Sequence, residues 1–456
     1  MKDTYDDPVD VSLSRPRETL TLFSEKRGWQ LAFVLIAFAS FGLYWLSAVI
    51  LEARDATTHF GADTWSYAAL TGGDVWARVA GNESLSRLAR FHPTTIALIA
   101  TWMALVKPLT ALLSPAVLLK ALFAAIGAVG VFAATLAFSR VMSKSYAALF
   151  GMIYAASLGI WYFSSIEESK IITATLATIY IAGYLRLREN WSPSGAIGLT
   201  VILAIACLNE IVSGFLVIIP AVDALVRRGW DPRNQIWIVL HALAAPMSLL
   251  VLETVFRVWF AASATDHEGA SHVGMLLYYV TRNAHGWPEL YAFLNNWLFF
   301  NISAPTPRAD YGVPLGEFYS GYFEPSLLNY VLLPATVVPA IALAIIIAVC
   351  ARTLFRGDWL GTGNRDSDKG ILLGLVAYTV VRGAFFFVFN PPEPLLFSPA
   401  VTLAHLLIIA IPFMASTFPA KRLVLIALLL GLLIANGSFI LIPDPDEIGM
   451  RDDQQL

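Results

Sequence analysis

The sequence predicts an all-α, polytopic membrane protein, and two observations carry that prediction. Of its 456 residues, 57% are hydrophobic and only 14% are charged, and the mean hydropathy is +0.66. Apolar runs of about 20 residues, the length that a helix needs to cross the hydrocarbon core of a bilayer, recur along the chain. This composition excludes a soluble enzyme.

The apolar segments indicate about eleven spans. They cover residues 28–50, 116–139, 146–163, 170–186, 195–208, 211–226, 235–260, 327–350, 370–389, 396–415 and 422–442. Segments 195–208 and 211–226 are both short for a hydrocarbon core about 30 Å thick. We therefore expect a hairpin whose tip, Asn209 and Glu210, is sunk below the outer surface among other helices.

The polar segments divide the chain into an N-terminal tail, one membrane domain and a C-terminal tail. Residues 1–27 are polar, and no small-residue cleavage site follows the first apolar run, so we expect a cytoplasmic tail before a retained span. Residues 28–442 form one predicted membrane domain with two long outer loops, 51–115 and 261–326. Residues 443–456 form a polar tail.

Cationic residues set the predicted orientation, because short cytoplasmic loops retain Lys and Arg. With the N-terminus inside, the cationic loops alternate without a break and the C-terminus lies outside. This holds only if the apolar stretch 94–113 does not cross. Lys107 and Pro108 lie near its end, and a charge and a helix breaker are both unfavourable in a lipid-exposed span. We therefore expect a re-entrant or surface-lying helix on the outer side.

The first outer loop contains two short helical patterns. Asp63 opens the run ADTWSYAAL, in which Trp65, Tyr67 and Leu70 suit a helix at the lipid headgroups. The second pattern, NESLSRLARF, ends in His92-Pro93. We expect juxtamembrane helices on the outer face, with Asp63 serving either as a helix cap or as a carboxylate held at the interface.

Four acidic features share the outer face in this topology. They are Asp63, the pair Glu167-Glu168 in SSIEESK, Glu210, and Glu393 in NPPEPLLFSP. Carboxylates there can act as a general base toward a hydroxyl acceptor or bind a divalent cation such as Mg²⁺ or Mn²⁺. Asp63, Glu167 and Glu168 are the predicted catalytic residues and the candidate metal ligands. Purely structural roles stay open for these residues. Glu167-Glu168 could form a solvated turn, and Glu393 could simply be a polar residue between prolines.

Arg382 lies inside the apolar run ILLGLVAYTVVRGAFFFVF. An unpaired guanidinium is unfavourable in lipid, so we expect either an anionic lipid phosphate or a buried carboxylate, such as Glu210 or Glu253, beside it.

Other site classes are not indicated. The histidines of loop 261–326 lack a spacing such as H-E-x-x-H, which argues against zinc, and no polybasic tract suggests nucleic acid. Cys207 and Cys350 lie in apolar segments, so neither a disulfide nor a thiolate metal site is predicted.

The order of these features resembles the C-type (GT-C) glycosyltransferases, which include the protein O-mannosyltransferases and the aminoarabinose transferases of lipid A. The resemblance covers residues 28–230 and rests on the Asp in GADTWSYA, the His-Pro in FHPTTIALIATWMAL and the acidic turn in SSIEESKIITATLATIYIAGYLRLREN. It implies that Asp63 is the base. An acceptor hydroxyl that it activates would attack the anomeric carbon of a polyprenyl-phosphate-linked sugar with inversion.

One departure concerns the lipid phosphate. Many members of that family carry an Arg and a Tyr before a Pro in a late outer segment, whereas EPLLFSP here has Leu395 and Phe397. Arg382 or Arg282 would stand in. The predicted substrate-binding residues are His92, Glu210, Arg282, Arg382 and Glu393.

The sequence thus predicts a membrane glycosyltransferase with a polyprenyl-phosphate-sugar donor and a lipid, glycan or protein acceptor. It would act among the membrane lipids at the outer face of a bacterial cytoplasmic (inner) membrane. A transporter or flippase of a lipid-linked or small anionic substrate is the competing class, because the same Arg and Glu could line a path. The sequence contains no internal repeat, a feature that many transporters have, and this argues against that class. A catalytically inactive relative with a scaffold role is a third alternative.

Overall fold

The computed structural model describes residues 16–53, 64–71, 74–228, 232–259, 280–281, 286–303, 327–356, 365–390 and 394–441. Within these ranges the chain is helical and contains no strand. The predicted all-α class is therefore confirmed for the described part of the chain.

Helices occupy most of the predicted apolar segments. In chain order they are α1 (Pro16–Ala53), α2 (Thr64–Ala68), α3 (Val75–Gly81), α4 (Glu83–Phe91), α5 (Pro93–Val106), α6 (Pro115–Val141), α7 (Lys144–Ala156), α8 (Leu158–Ser164), α9 (Lys170–Glu189), α10 (Pro193–Asn209), α11 (Ile218–Arg228), α12 (Pro232–Trp259), α13 (Trp287–Leu294), α14 (Leu327–Arg356), α15 (Arg365–Phe389), α16 (Pro394–Phe397), α17 (Thr402–Ala415) and α18 (Lys421–Leu441). Four 3₁₀ segments (Ala69–Thr71, Lys107–Ala111, Ile211–Val217 and Ser398–Val401) and a π-helical turn (Asn295–Phe300) complete the order.

Seven described helical segments are long and apolar enough to cross a membrane, or eight if the bent pair α7 and α8 forms one span. The protein is therefore a polytopic helical membrane protein. We expected about eleven spans, and the length and composition of the helices do not give that number. Helix α10 and the segment Ile211–Val226 are short apolar helices, and the apolar part of α12, Ile238–Val251, is short as well. The predicted break at Asn209-Glu210 is confirmed, since α10 ends at Asn209 and a 3₁₀ segment follows Glu210.

The predicted single span 146–163 is instead two helices that meet at an angle of 60°. Ser157, between them, has extended backbone angles. The amide groups of Leu158 and Gly159, which the bend removes from the α7 ladder, donate to the carbonyl oxygens of Ile302 and Asn301, each at 3.0 Å. The bend is stable because another segment of the chain supplies the missing acceptors.

That segment, residues 286–303, belongs to the predicted outer loop 261–326, but its end, Asn301 and Ile302, packs inside the bundle. Asn301 is fully buried, donates to Ser398 O at 3.1 Å and accepts from Thr402 Oγ1 at 2.9 Å. Asn436 Nδ2 donates to Ile302 O at 2.9 Å. Irregular backbone is tolerated at this depth because protein, rather than lipid, satisfies its polar groups.

Helix α6 is the centre of the N-terminal half and contacts α1, α7, α8 and α9. Gly127 and Gly130 face Ser164 and Thr175, so the helices approach closely.

One end of the bundle holds the acidic features that the structure describes, Glu167, Glu168 and Glu210, and we call it the acidic end. It comprises loop 165–169 between α8 and α9, the start of α6 and the end of α10. Lys120 Nζ lies 3.7 Å from Glu167 Oε1, and Asn209 Nδ2 donates to Ser169 O at 3.4 Å.

Helix α5 contacts the acidic end of the bundle through His92, before its first residue, and through Trp102, near its last turn. His92 Nδ1, at its start, lies 2.7 Å from Asn209 O, and Trp102 Nε1, near its end, donates to Leu118 O in α6 at 2.7 Å. By length and composition alone Pro93–Ala111 could cross a membrane. That the stretch 94–113 does not cross therefore stays a prediction.

The helices of the first outer loop pack on the bundle rather than on headgroups. Tyr67 and Leu70, which we expected at the membrane surface, are fully buried, and the Tyr67 ring lies 6.3 Å from that of Phe123 in α6. The expectation failed because α6 offers these side chains an apolar protein surface.

Candidate functional site

The structure describes five of the eight predicted site residues. Asp63, Arg282 and Glu393 lie outside the described residues. Those inside are His92, Glu167, Glu168, Glu210 and Arg382.

Asn209, the last residue of α10, joins three elements at the acidic end. Its buried side chain accepts from Thr95 Oγ1 of α5 at 2.7 Å and donates to Thr173 Oγ1 of α9 at 2.9 Å. The same amide nitrogen reaches Ser169 O, next to the acidic pair. Because Glu210 follows directly in the chain, this one amide brings predicted site residues from distant segments to one place.

The backbone of Asn209 also orients the side chain of His92. Its Nδ1 lies 2.7 Å from Asn209 O, and a carbonyl oxygen can only accept. Nδ1 therefore carries a proton, and in the neutral ring Nε2 holds the lone pair. The half-buried His92 is thus set to accept a hydrogen bond or a proton through Nε2.

Arg382 pairs with Glu210, one of the two carboxylates that the sequence suggested as partners. Arg382 Nη2 lies 2.9 Å from Glu210 Oε1, and both side chains are buried, with exposures of 0% and 8%. Within the described residues, Arg382 Nε and Nη1 and Glu210 Oε2 have no hydrogen-bond partner. The pair leaves donors on the guanidinium for a further acceptor.

Lys170 brings a second cation to this place, and the sequence analysis missed it. Its Nζ lies 4.6 Å from the centroid of the Phe397 ring, which stacks on Phe386 with the centroids 4.1 Å apart. Arg382 Cζ lies 4.9 Å from the Phe386 ring. Two cations thus flank a stacked aromatic pair, each interaction contributing about 0.5–2 kcal/mol.

Lys170 and His92 also act electrostatically on the Glu210 carboxylate. Arg382 and Lys170 thus place two buried cations beside one stacked aromatic pair, which is a feature that can hold an anionic ligand. The visible signal was Lys170 itself, the last residue of SSIEESK, directly before an apolar run.

A second buried ionic group, also missed, lies beside the first. Lys120 is fully buried, and its Nζ lies 2.5 Å from Glu52 Oε2 and 3.7 Å from Glu167 Oε1. The signal in the sequence was a lone Lys in the apolar run PAVLLKALFA. Burial raises the pKa of the Glu167 carboxyl to about 7, and the Lys120 charge limits that rise. Glu167 therefore exchanges its proton near neutral pH.

The solvated-turn reading of the acidic pair is wrong. Glu167 and Glu168 are 2% and 1% exposed, and Glu168 Oε1 accepts from Ser169 Oγ at 2.9 Å. The turn is buried because α6, α9 and α10 enclose it. Among the described residues no group of three His, Cys, Asp or Glu side chains is arranged to hold a metal ion. Asp63 lies outside them, so the divalent-cation site stays a prediction.

Comparison with protein-family models gives no match, and comparison with curated proteins gives none either. The resemblance to C-type glycosyltransferases therefore rests on the sequence motifs.

Proposed function

We propose that this protein is a membrane glycosyltransferase that moves a sugar from a polyprenyl-phosphate donor to a hydroxyl of a lipid, glycan or protein. The reaction would take place at the outer face of a bacterial cytoplasmic membrane. One observation carries the proposal. The acidic end brings together His92, the cations Arg382 and Lys170, and three buried acidic residues, Glu167, Glu168 and Glu210.

The proposed reaction assigns the cations to the leaving group. As the anomeric carbon loses its bond to the phosphate oxygen, that oxygen takes the electron pair, and Arg382 and Lys170 stabilise the added negative charge. Arg382 can do so while it stays paired, because its Nε and Nη1 donors are not engaged by any described residue.

Asp63 is the proposed base. It takes the proton of the acceptor hydroxyl as the acceptor oxygen forms its bond to the anomeric carbon, opposite the departing phosphate. Helix α2 begins at Thr64, and Tyr67 in that helix packs on Phe123 of α6, three residues after Lys120. Glu167 and Glu168 are the alternative carboxylates. If a divalent cation takes part, Asp63, Glu167 and Glu168 are its proposed ligands.

Asp63→Asn tests the proposal. Asn caps a helix about as well as Asp but cannot take a proton, so the variant should insert normally while transfer falls by about 10² to 10⁴. The assay is transfer from a radiolabelled polyprenyl-phosphate sugar in membranes, with the protein level measured in parallel.

Asp74→Asn is the matched control in the same loop. The Asp74 carboxylate caps α3 by accepting from the amides of Trp76 and Ala77. Its Asn variant should keep full transfer. Full transfer by the Asp63 variant would make that residue a cap too and leave Glu167 or Glu168 as the base. Movement of the labelled lipid across the membrane without a covalent product would favour a flippase.

A further inference from the structure

Four buried side chains, two of them beside Phe386, have polar atoms that lack a hydrogen-bond partner in the described part of the chain. They are Arg382 (Nε and Nη1), Trp297 (Nε1), Thr379 (Oγ1) and His405 (Nδ1 and Nε2). Their exposures range from 0% to 7%. Leaving a buried polar group unpaired costs about 1–3 kcal/mol, so such groups are rare and each calls for an explanation.

The four side chains come from three elements that meet at one place. The Trp297 ring, on the π-helical turn, lies 6.4 Å from the His405 ring of α17 in an edge-on arrangement. The same Trp297 ring lies 6.1 Å from Phe386, and the Arg382 guanidinium lies 4.9 Å from Phe386. Phe386 is thus the shared neighbour of Trp297 and Arg382.

Gly383 explains how the indole N–H reaches α15. A Cβ at Gly383 would lie 3.1 Å from Trp297 Nε1, so any larger residue would press on the N–H group. Thr379 lies four residues before Gly383, and Phe386 three residues after it, on one side of α15. The π-helical turn is a second unusual feature, since such turns occur often at functional sites.

The chemistry of the unpaired atoms selects the ligand. Arg and Trp nitrogens can only donate, and Thr and neutral His can also donate, so the group offers mainly hydrogen-bond donors and suits an acceptor-rich anion. Lys170 lies over the Phe397 ring, which stacks on Phe386, so a second cation stands near the group. A phosphate oxyanion meets both requirements.

We propose that Arg382, Trp297, Thr379 and His405 form a buried site for a phosphate oxyanion. Arg382 supplies charge, and the other three side chains add hydrogen bonds. The proposal rests on the proposed function only in taking the donor lipid as the natural source of the phosphate. Binding itself requires no transfer.

Trp297→Phe tests the site, because it keeps an aromatic ring and removes the N–H group, although the ring becomes smaller. The full chain, purified in detergent, is titrated with polyprenyl monophosphate, with inorganic phosphate and with uncharged polyprenol, and each dissociation constant is measured. We expect the dissociation constant for polyprenyl monophosphate to rise about 10- to 100-fold, as for the loss of a hydrogen bond to a charged group. Without ligand, the melting temperature should fall less than in the matched control Trp161→Phe, because both variants lose the same ring volume but the Trp297 N–H group has no described partner to lose.

Trp161→Phe is the matched control. Trp161 is equally buried, but its Nε1 donates to Ser47 Oγ at 2.9 Å. This variant should lower the melting temperature and leave the dissociation constants unchanged. Thr379→Val provides a second test of the site if Trp297→Phe does not fold, and it should also weaken phosphate binding.

The outcomes separate this proposal from the proposed function. Wild-type dissociation constants in Trp297→Phe and Thr379→Val, or a wild type that binds neither phosphate, would overturn the site. Weakened binding in the variants, together with a wild type that transfers no sugar, would support the site and reject the glycosyltransferase. Equal affinity for inorganic and polyprenyl phosphate would support the site with free phosphate as its source. No affinity for polyprenol is expected in either case.

Discussion

Two buried Arg–carboxylate pairs stand at different ends of the bundle and are built differently. Away from the acidic end, Arg188 at the end of α9 binds Asp223 of α11 through two nitrogens, at 2.8 and 3.2 Å. Tyr184 OH also donates to Asp223 Oδ2, at 2.6 Å. At the acidic end, Arg382 donates to Glu210 through one nitrogen, at 2.9 Å, and its Nε and Nη1 have no described partner.

The difference separates two uses of a buried charge pair. The Arg188–Asp223 pair is saturated, and Asp223 also packs against Gly370 at the start of α15, so it holds α9, α11 and α15 together. The Arg382–Glu210 pair is less than saturated, and such a pair is unfavourable unless a ligand completes it. We therefore read the first pair as structural and the second as a binding group.

Arg188→Leu should have the largest effect on stability. It leaves Asp223 buried without its cation, which typically costs about 3–5 kcal/mol. We expect a lower melting temperature and less protein in the membrane, whereas transfer per folded molecule should stay at the wild-type value. A stabilising detergent should restore the amount of folded protein. If transfer per folded molecule then stayed low, a purely structural role would be contradicted.

Arg382→Leu should act on donor binding as well as on stability, because it also leaves the buried Glu210 without the cation it pairs with. Losing charge-assisted hydrogen bonds worth about 1.5–3 kcal/mol should raise the donor concentration needed for half-maximal transfer about 10- to 150-fold. Arg382→Lys should be intermediate, because it keeps the charge and loses the planar fork of donors. Donor dependence is measured in membranes containing equal amounts of protein. An unchanged requirement in the Leu variant would make this pair structural as well and move the phosphate contact to Arg282.

Lys120→Met should have the smallest effect, a shift of the pH profile. Because burial raises the pKa of Glu167 to about 7, its carboxylate form, and any transfer that needs it, should increase as the pH rises through about 7. Lys120 lowers that pKa, so its loss should move the midpoint to higher pH. Arg140→Met is the control, because Arg140 pairs with Glu189 in an exposed position, with both side chains more than a third exposed. Coinciding midpoints in the wild type and Lys120→Met would remove Glu167 from the reaction.

The sequence alone determined the features that depend on local chemistry. Apolar runs predicted the helices because every backbone polar group in lipid must be satisfied within its own segment. Asn209 and Glu210 predicted the helix break between two apolar arms. The position of Arg382 in an apolar run required a partner, and Glu210 was one of the two named.

Only the tertiary structure decided which distant groups meet. Arg382 and Glu210 are 172 residues apart, and either face of each helix could have met a different neighbour. The bend between α7 and α8 could not be predicted, because its amide groups are satisfied by Asn301 and Ile302 from a loop expected at the surface. The partners of Lys120 and Lys170 depend in the same way on packing. An apolar run specifies that a helix forms, but the surfaces of the other helices determine what lies beside each side chain.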